Sequence, residues 1–450
     1  MVLAWTLGPG IAASHYEERA RASTPSAIEL EREVRRIAGQ TAGGSELWPG
    51  FEILSHPLAV FDGSGTYLFR HPSPPEVFDA ASEENLDFHV KSGRHEAVFA
   101  DSIAEIGDAV VATVLIDRPE EGRSSTDLAA TAIHEAFHAH QQLNHPGWVA
   151  NVAAQFTYPA TDARLLALHY QEAEAFRRAN SAHGAGAARC WTRTALAIRD
   201  DRMSHMDPDH AQYEHGMEWL EGLAHYVERR AAGRRPDTLA GIRFHAAQIR
   251  RRTYELGVAQ AALLDRFDSQ WKHELARDDQ QRLGTMLAEA VGAGERCALD
   301  EQTLLAIESR AEQAVEQLVM SLDDTLDTFR SRGGWRVVIT TDEDRLLFPV
   351  QIDPVNVEIL GGLKTLHTRA VRLRNSHGHL DVTDETTLTK GAGAHPLFDG
   401  VQRVELTGLP EPSVEEDYNG IRVHAGGLNL RFSDATLSRS ANSILISLEP

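Results

Sequence analysis

The sequence predicts an α+β protein: a mixed sheet with one functional helix, then a large helical domain, then a C-terminal all-β domain. Three observations carry this. Short β-branched and aromatic runs with Gly and Pro punctuation fill the stretch before Arg118, and patterning of period 3.6 dominates from Thr161 to Arg330. Alternating patterning returns after Gly333-Gly334. The expected divisions are an N-terminal helical segment (1–50), the sheet with its helix (51–150), the helical domain (151–332) and the β domain (335–450).

Taken in order, Ser26 and Glu29 form a capping box before an apolar stripe at Ile28, Leu30, Val34 and Ile37, which predicts a helix ending before Gly39. Strands are predicted at Pro57 to Asp62, Thr66 to Arg70, Glu96 to Ala100 and Ala109 to Ile116. Gly63-Ser64-Gly65 reads as a hairpin turn and His71 to Pro75 as an extended loop. A second capping box, Ser124 with Asp127, opens a helix that Pro146 stops. Helical stretches follow, including Leu239 to Glu274 and Thr303 to Phe329. Seven strand-like runs close the chain: Trp335 to Thr341, Arg345 to Val350, Leu366 to Arg374, Val401 to Leu406, Ile421 to His424, Leu428 to Phe432 and Ser443 to Leu448.

Composition narrows the function. The 450 residues are 42% apolar and 24% charged, an ordinary globular balance. Sixty-six acidic against 44 basic side chains give a net charge of −22, which repels phosphate backbones and anionic lipids. Nucleic acid is therefore not an expected partner, and no stretch has the ~20 apolar residues of a membrane span. Met1 to Ser14 is apolar but has no basic flank and carries Gly8, Pro9 and Gly10. A cytoplasmic protein is expected, with secretion the alternative if that stretch is an atypical signal. Cys190 and Cys297 rule out a disulfide framework and a four-thiolate zinc site, leaving at most one bridge between them.

Chemistry concentrates in His134-Glu135-Ala136-Phe137-His138. Two histidines four residues apart lie about 40° apart around a helix, so both imidazoles can meet one metal ion. Glu135 is then placed to take a proton from an attacking water and hand it to a leaving amine. A catalytic zinc needs a third protein ligand, and a later helix, from near Asp209 to Ala232, supplies a candidate in the stretch Trp219 to Glu228. Glu214, Glu218 and Glu221 are rivals for that role on one helix. Gly222 costs a helix interior ~1 kcal/mol, which a close approach to the first helix would explain. His140 points elsewhere and is expected at the surface. His225 and Tyr226 are candidates for donating to the oxyanion.

Together, His134-Glu135-x-x-His138 and the Trp219-Leu220-Glu221-Gly222-Leu223-Ala224-His225-Tyr226 stretch resemble the gluzincins, zinc metallopeptidases whose two histidines are completed by a downstream glutamate. The resemblance implies a zincin-like catalytic unit with one Zn2+ per chain, His134, His138 and Glu221 as ligands, Glu135 as general base, and a peptide or protein substrate. It also implies a sheet whose edge strand lines the cleft, with Ala109 to Ile116 in that position. No Gly-x-Met-Glu-Asn sequence precedes His134, so capture of a free substrate N-terminus is not implied. A zinc-stabilised binding protein, or a metallohydrolase of non-peptide amides or esters, remains the alternative.

No Gly-x-Ser-x-Gly elbow, phosphate loop or dinucleotide turn competes with this reading.

Overall fold

A computed structural model describes residues 26–41, 46–117, 123–235, 245–278, 280–352, 356–418 and 420–448, a mixed α/β chain with three sheets. The Met1 to Ser14 stretch lies outside the described residues. The first described helix, α1 (Ala27–Thr41), opens on the expected reciprocal cap: Glu29 N donates to Ser26 Oγ at 3.2 Å and Ser26 N to Glu29 Oε2 at 2.7 Å. It runs through Gly39 to Thr41, three residues beyond the predicted end, and Ile37 and Ala38 are buried in its last turns.

Six strands follow: β1 (Leu58–Phe61), β2 (Gly65–Phe69), β3 (Asp79–Glu83), β4 (Leu86–Ser92), β5 (Ser102–Ile106) and β6 (Ala109–Leu115). Their order in the sheet is β3-β4-β2-β1-β6-β5, and β1 and β6 are parallel. Two expectations are corrected here. Glu96 to Ala100 is no strand: a turn closed by Val98 N to His95 O at 2.9 Å carries Val98 into the core beside Phe78 and Ile106. The edge position expected of Ala109 to Ile116 belongs to β5, since β6 is flanked on both sides and buries Val111, Ala112 and Val114.

The sheet's two faces pack differently, as alternation requires. Leu58, Val60, Ala112 and Val114 meet the apolar side of α2 (Ser125–Asn144), whereas Ala59, Phe61 and Val111 form a smaller core on the other face. Ser124 and Asp127 make the predicted capping box of α2, and its C-cap is His145, just before Pro146.

The helical region comprises α3 (Ala153–Thr157), α4 (Ala163–Ser181), α5 (Ala185–Ser204), α6 (Pro208–Met217), a π turn at Glu218–Gly222, α7 (Leu223–Ala231), α8 (Ile249–Phe267), α9 (Trp271–Arg277), α10 (Leu283–Val291) and α11 (Glu301–Ser331). The stretch expected as one helix to Glu274 breaks at Asp268, whose extended backbone lets α9 turn back and bury Trp271. Residues 236–244, which include the start of the expected Leu239 to Glu274 stretch, lie outside the described residues. Cys190 of α5 is bridged to Cys297, with Cα atoms 5.3 Å apart, which ties α5 to the segment leading into α11.

After Gly334 the chain is all β: β7 (Trp335–Thr341), β8 (Phe348–Ile352), β9 (Val357–Gly361), β10 (Lys364–His367), β11 (Ala370–Asn375), β12 (Gly378–Thr383), β13 (Thr387–Gly391), β14 (Val401–Leu409), β15 (Ser413–Asp417), β16 (Gly420–Ala425), β17 (Leu428–Phe432), β18 (Thr436–Ser440) and β19 (Ser443–Leu448). A seven-stranded sheet, β18-β19-β7-β14-β13-β10-β9, faces a six-stranded one, β15-β16-β17-β12-β11-β8, across a shared core. Leu366 to Arg374, expected as one strand, is two, because the chain crosses from one sheet to the other between His367 and Ala370.

This β region does not stand apart. Phe156 of α3 is buried in its core, and His395 Nε2 donates to the Ala153 carbonyl at 3.0 Å. Arg369 donates to the Phe99 carbonyl, drawing β8 and β11 toward the segment that precedes β5.

Candidate metal centre

His134 and His138 lie one turn apart on α2 and turn their rings toward each other, with Nε2 atoms 3.0 Å apart. Glu221 Oε2 stands 3.6 Å from each of those nitrogens. Three ligands at ~2.1 Å from a tetrahedral zinc lie about 3.4 Å from one another. The donor set, two imidazoles and a carboxylate, and its spacing both fit zinc. Glu214 and Glu218, the rival carboxylates, are committed elsewhere: Arg202 donates to Glu214 at 2.7 Å and Arg199 to Glu218 at 2.8 Å in a buried ion network that also holds Glu172.

Glu221 occupies the π turn, and Gly222 permits that turn to approach its neighbour. A Cβ on Gly222 would lie 2.9 Å from the Cα of Gly257 on α8. The close approach expected at Gly222 is therefore real, but its partner is α8 rather than the α2 helix. π turns recur at functional sites because their wider turn redirects a side chain.

A second ring of hydrogen bonds orients the three donors. Glu228 Oε2 accepts from His134 Nδ1 at 3.1 Å and from His225 Nδ1 at 2.8 Å. Gln141 Nε2 donates to the Trp219 and Leu220 carbonyls at 2.9 and 3.0 Å, so its Oε1 must be the atom facing His138 Nδ1 at 2.8 Å. With both Nδ1 protons engaged, each Nε2 lone pair is left for the centre. Arg250 donates to Glu221 Oε1 at 2.8 Å, which leaves Oε2 facing the histidines.

The electrostatics suit a cation. Burial pushes the His134 imidazole down, but hydrogen bonds from it to Glu221 and Glu228 carry it well above its usual value. Burial pushes Glu221 up, and the two histidines more than reverse this, leaving it well below the carboxylate range. Glu135 behaves oppositely: burial raises it, and the histidines offset only part of the rise. Its carboxylate has no hydrogen-bond partner among the described residues and borders a cavity of about 730 Å³ together with His134, His138 and Glu221.

That cavity is walled by Phe99 to Ile103 on the β5 side, by Trp148 and Val149 after α2, and by Ile352 from the β domain. Arg250 and Tyr254 of α8 complete it, and Arg250 Nε donates to the Tyr254 hydroxyl at 3.1 Å. Burial and then the charge of Glu221 push the Tyr254 phenol far up, so it stays a neutral O–H donor.

Three residues differ from their sequence-based positions. Tyr226 is fully buried and outside the cavity lining, its hydroxyl donating to Asp265 at 2.6 Å and accepting from Arg230 at 2.9 Å. The expected oxyanion role is corrected, since that proton is already committed. His225 lies outside the cavity lining and clusters with His134 around the shared Glu228, so it positions rather than donates. His140 is 4% exposed, not at the surface, because Phe51, Phe137, His56 and His145 close around it.

Sequence reasoning missed Gln141, Glu228, Arg250 and Tyr254. Gln141 continues the row of His134 and His138, and Glu228 that of Glu221 and His225, so helix-face spacing alone would have found them. Arg250 and Tyr254 carry no such signal. No protein-family model matches the chain, and no curated protein or solved structure matches it either.

Proposed function

We propose that the protein is a zinc-dependent hydrolase acting on peptide bonds, with a gluzincin-like catalytic unit. The observation that carries this reading is the convergence of His134 Nε2, His138 Nε2 and Glu221 Oε2 beside an unpartnered Glu135 in one cavity. Those three residues would hold one Zn2+ per chain, which would supply Lewis-acid polarisation and acidify water.

The remaining steps belong to the chain. Glu135, its affinity for a proton raised by burial, takes one from the attacking water and delivers it to the departing amine. Tyr254, kept protonated, donates to the carbonyl oxygen as negative charge develops there. Glu228 and Gln141 hold the two imidazoles in the tautomer that leaves Nε2 free. β5 is the exposed edge of its sheet and lies along the cavity, where an extended substrate backbone can align with it. The Cys190–Cys297 bridge favours an oxidising compartment, hence the secreted alternative over the cytoplasmic one. Among the described residues no helix is long and apolar enough to cross a membrane.

The test is zinc content together with hydrolysis of a mixed peptide pool. Wild-type chain should hold one zinc and cut peptides; Glu135→Gln should keep zinc and fold while turnover falls ~100-fold to 10,000-fold. Full zinc without turnover on peptide, ester and amide panels would make the protein a zinc-stabilised binder, and turnover of esters or non-peptide amides alone would reassign the substrate.

A further inference from the structure

The six-stranded sheet of the β domain turns three arginines and a histidine outward in one row. Pairing sets Arg374 of β11 opposite His379 of β12, His379 opposite Arg431 of β17, and Arg431 opposite Arg422 of β16, all of them exposed. Like charges directly opposite, as Arg431 and Arg422 are, destabilise a sheet. Arg422 has Glu415 at 3.6 Å, but Arg374 and Arg431 have no carboxylate partner among the described residues. Together with His379 they line a cavity of about 680 Å³.

This cavity and the one at the metal centre are neighbours of a third. Arg372 borders the first and also this third cavity, of about 280 Å³, and Phe99 and Ile352 border both the third cavity and the one at the metal centre. β8 runs beside all three. Among the described strands it pairs within its sheet only with β11, so its other edge has no strand partner; a bulge in that pairing sets Phe348, 47% exposed, opposite Arg374 on the outer face, with Val350 also 51% exposed, while Ile352 lies opposite Val371 on the core side.

We propose that this groove docks an acidic, extended segment of the polypeptide substrate, a reading that rests on the peptidase assignment above. The segment leaves the metal centre past Ile352, pairs along β8, and places carboxylates on Arg374, His379 and Arg431. The acidic residues then lie beyond the stretch that pairs with the five residues of β8, at ~3.3 Å per residue. A polypeptide is favoured over other polyanions for two reasons. Only a backbone can pair with the β8 edge while its side chains meet Phe348 and Val350, and the chain's overall negative charge repels long polyanions.

The experiment uses the full chain carrying Glu135→Gln and two labelled peptides, identical except that a distal run of glutamates in one is glutamine in the other. Fluorescence anisotropy at low salt should show the glutamate peptide binding at least about tenfold tighter, with the difference shrinking as salt rises. Arg374→Gln with Arg431→Gln, both at exposed positions, should remove the preference. Equal binding of the two peptides overturns the proposal, as does a preference that survives the double substitution. An unstructured single-stranded oligonucleotide bound more tightly at the same residues also overturns it. Binding needs no turnover, so the two failures separate: docking without hydrolysis by the wild-type chain sinks the peptidase reading, and hydrolysis without a glutamate preference sinks the docking site.

Discussion

Gln141 joins the two halves of the centre: its amide nitrogen donates to the Leu220 carbonyl at 3.0 Å, one residue before Glu221, while its oxygen faces His138 Nδ1 at 2.8 Å. One side chain thus orients an imidazole on α2 and pins the turn that carries the carboxylate. Its amide is buried, and neither bond can be exchanged for one to solvent.

Gln141→Leu should accordingly lower zinc affinity ~10-fold to 100-fold, the cost of losing an orienting partner, without altering which residues bind. Competition against a chromophoric chelator reads this directly. Unchanged affinity would show that the π turn holds Glu221 in place by packing alone.

Packing is tested at Gly222. An added Cβ lies 2.9 Å from the Gly257 Cα, and backbone on both sides leaves no flexible side chain to yield. Gly222→Ala should therefore destabilise the chain by about 1–3 kcal/mol and also weaken zinc binding, because α7 must move away from α8 and take Glu221 with it. Thermal unfolding and metal titration on the same sample check both effects. Stability lost with zinc affinity intact would separate the helix contact from the centre.

Some of this could be read in the sequence and some could not, for physical reasons. The capping boxes at Ser26 and Ser124 were legible because a cap is settled within four residues. The His134 and His138 pair was legible because helix spacing fixes which side chains share a face; Glu221 was implied only by the gluzincin resemblance, and the structure brings the three together. The choice among Glu214, Glu218 and Glu221 could not be made locally: Arg199 and Arg202, which engage the first two, come from a different helix. The same holds for the edge strand. β5 has the composition Ser-Ile-Ala-Glu-Ile, weak for a strand, and owes its place to the hairpin with β6. Arg250 and Tyr254 reach the cavity from a helix that no motif marks. Long-range packing decided what pattern alone left open.

The β domain carries a pH dependence of its own. His367 is fully buried on β10; its Nε2 meets the Thr389 hydroxyl at 3.1 Å, Nδ1 has no partner, and burial lowers its pKa to about 3. The unfolded chain takes up this proton below about pH 6.5, the folded one only near 3. The folded-state value is depressed, so the contribution is complete above pH 6.5 and is lost as pH falls toward 3, at up to ~1.4 kcal/mol per pH unit. His367→Leu should lose that part of the slope. Urea unfolding of both chains at about pH 7 and about pH 5 measures it, and parallel losses in the two would mean that His367 is protonated in the folded state.

Tyr254 separates the chemistry from the metal. Its hydroxyl accepts from Arg250 Nε at 3.1 Å and keeps its own proton, since burial and the Glu221 charge push the phenol far up. It borders the cavity, whereas the Tyr226 hydroxyl is tied to Asp265. Tyr254→Phe keeps the ring and removes the donor, so zinc content and KM should hold while kcat falls ~100-fold, the typical loss for one oxyanion donor. Tyr226→Phe removes a buried hydrogen bond to a charged group and should cost stability, about 1.5–3 kcal/mol, with kcat little changed. A peptide assay on the two variants decides between them: a kcat loss confined to Tyr226→Phe would return the oxyanion role to the residue first expected from the sequence.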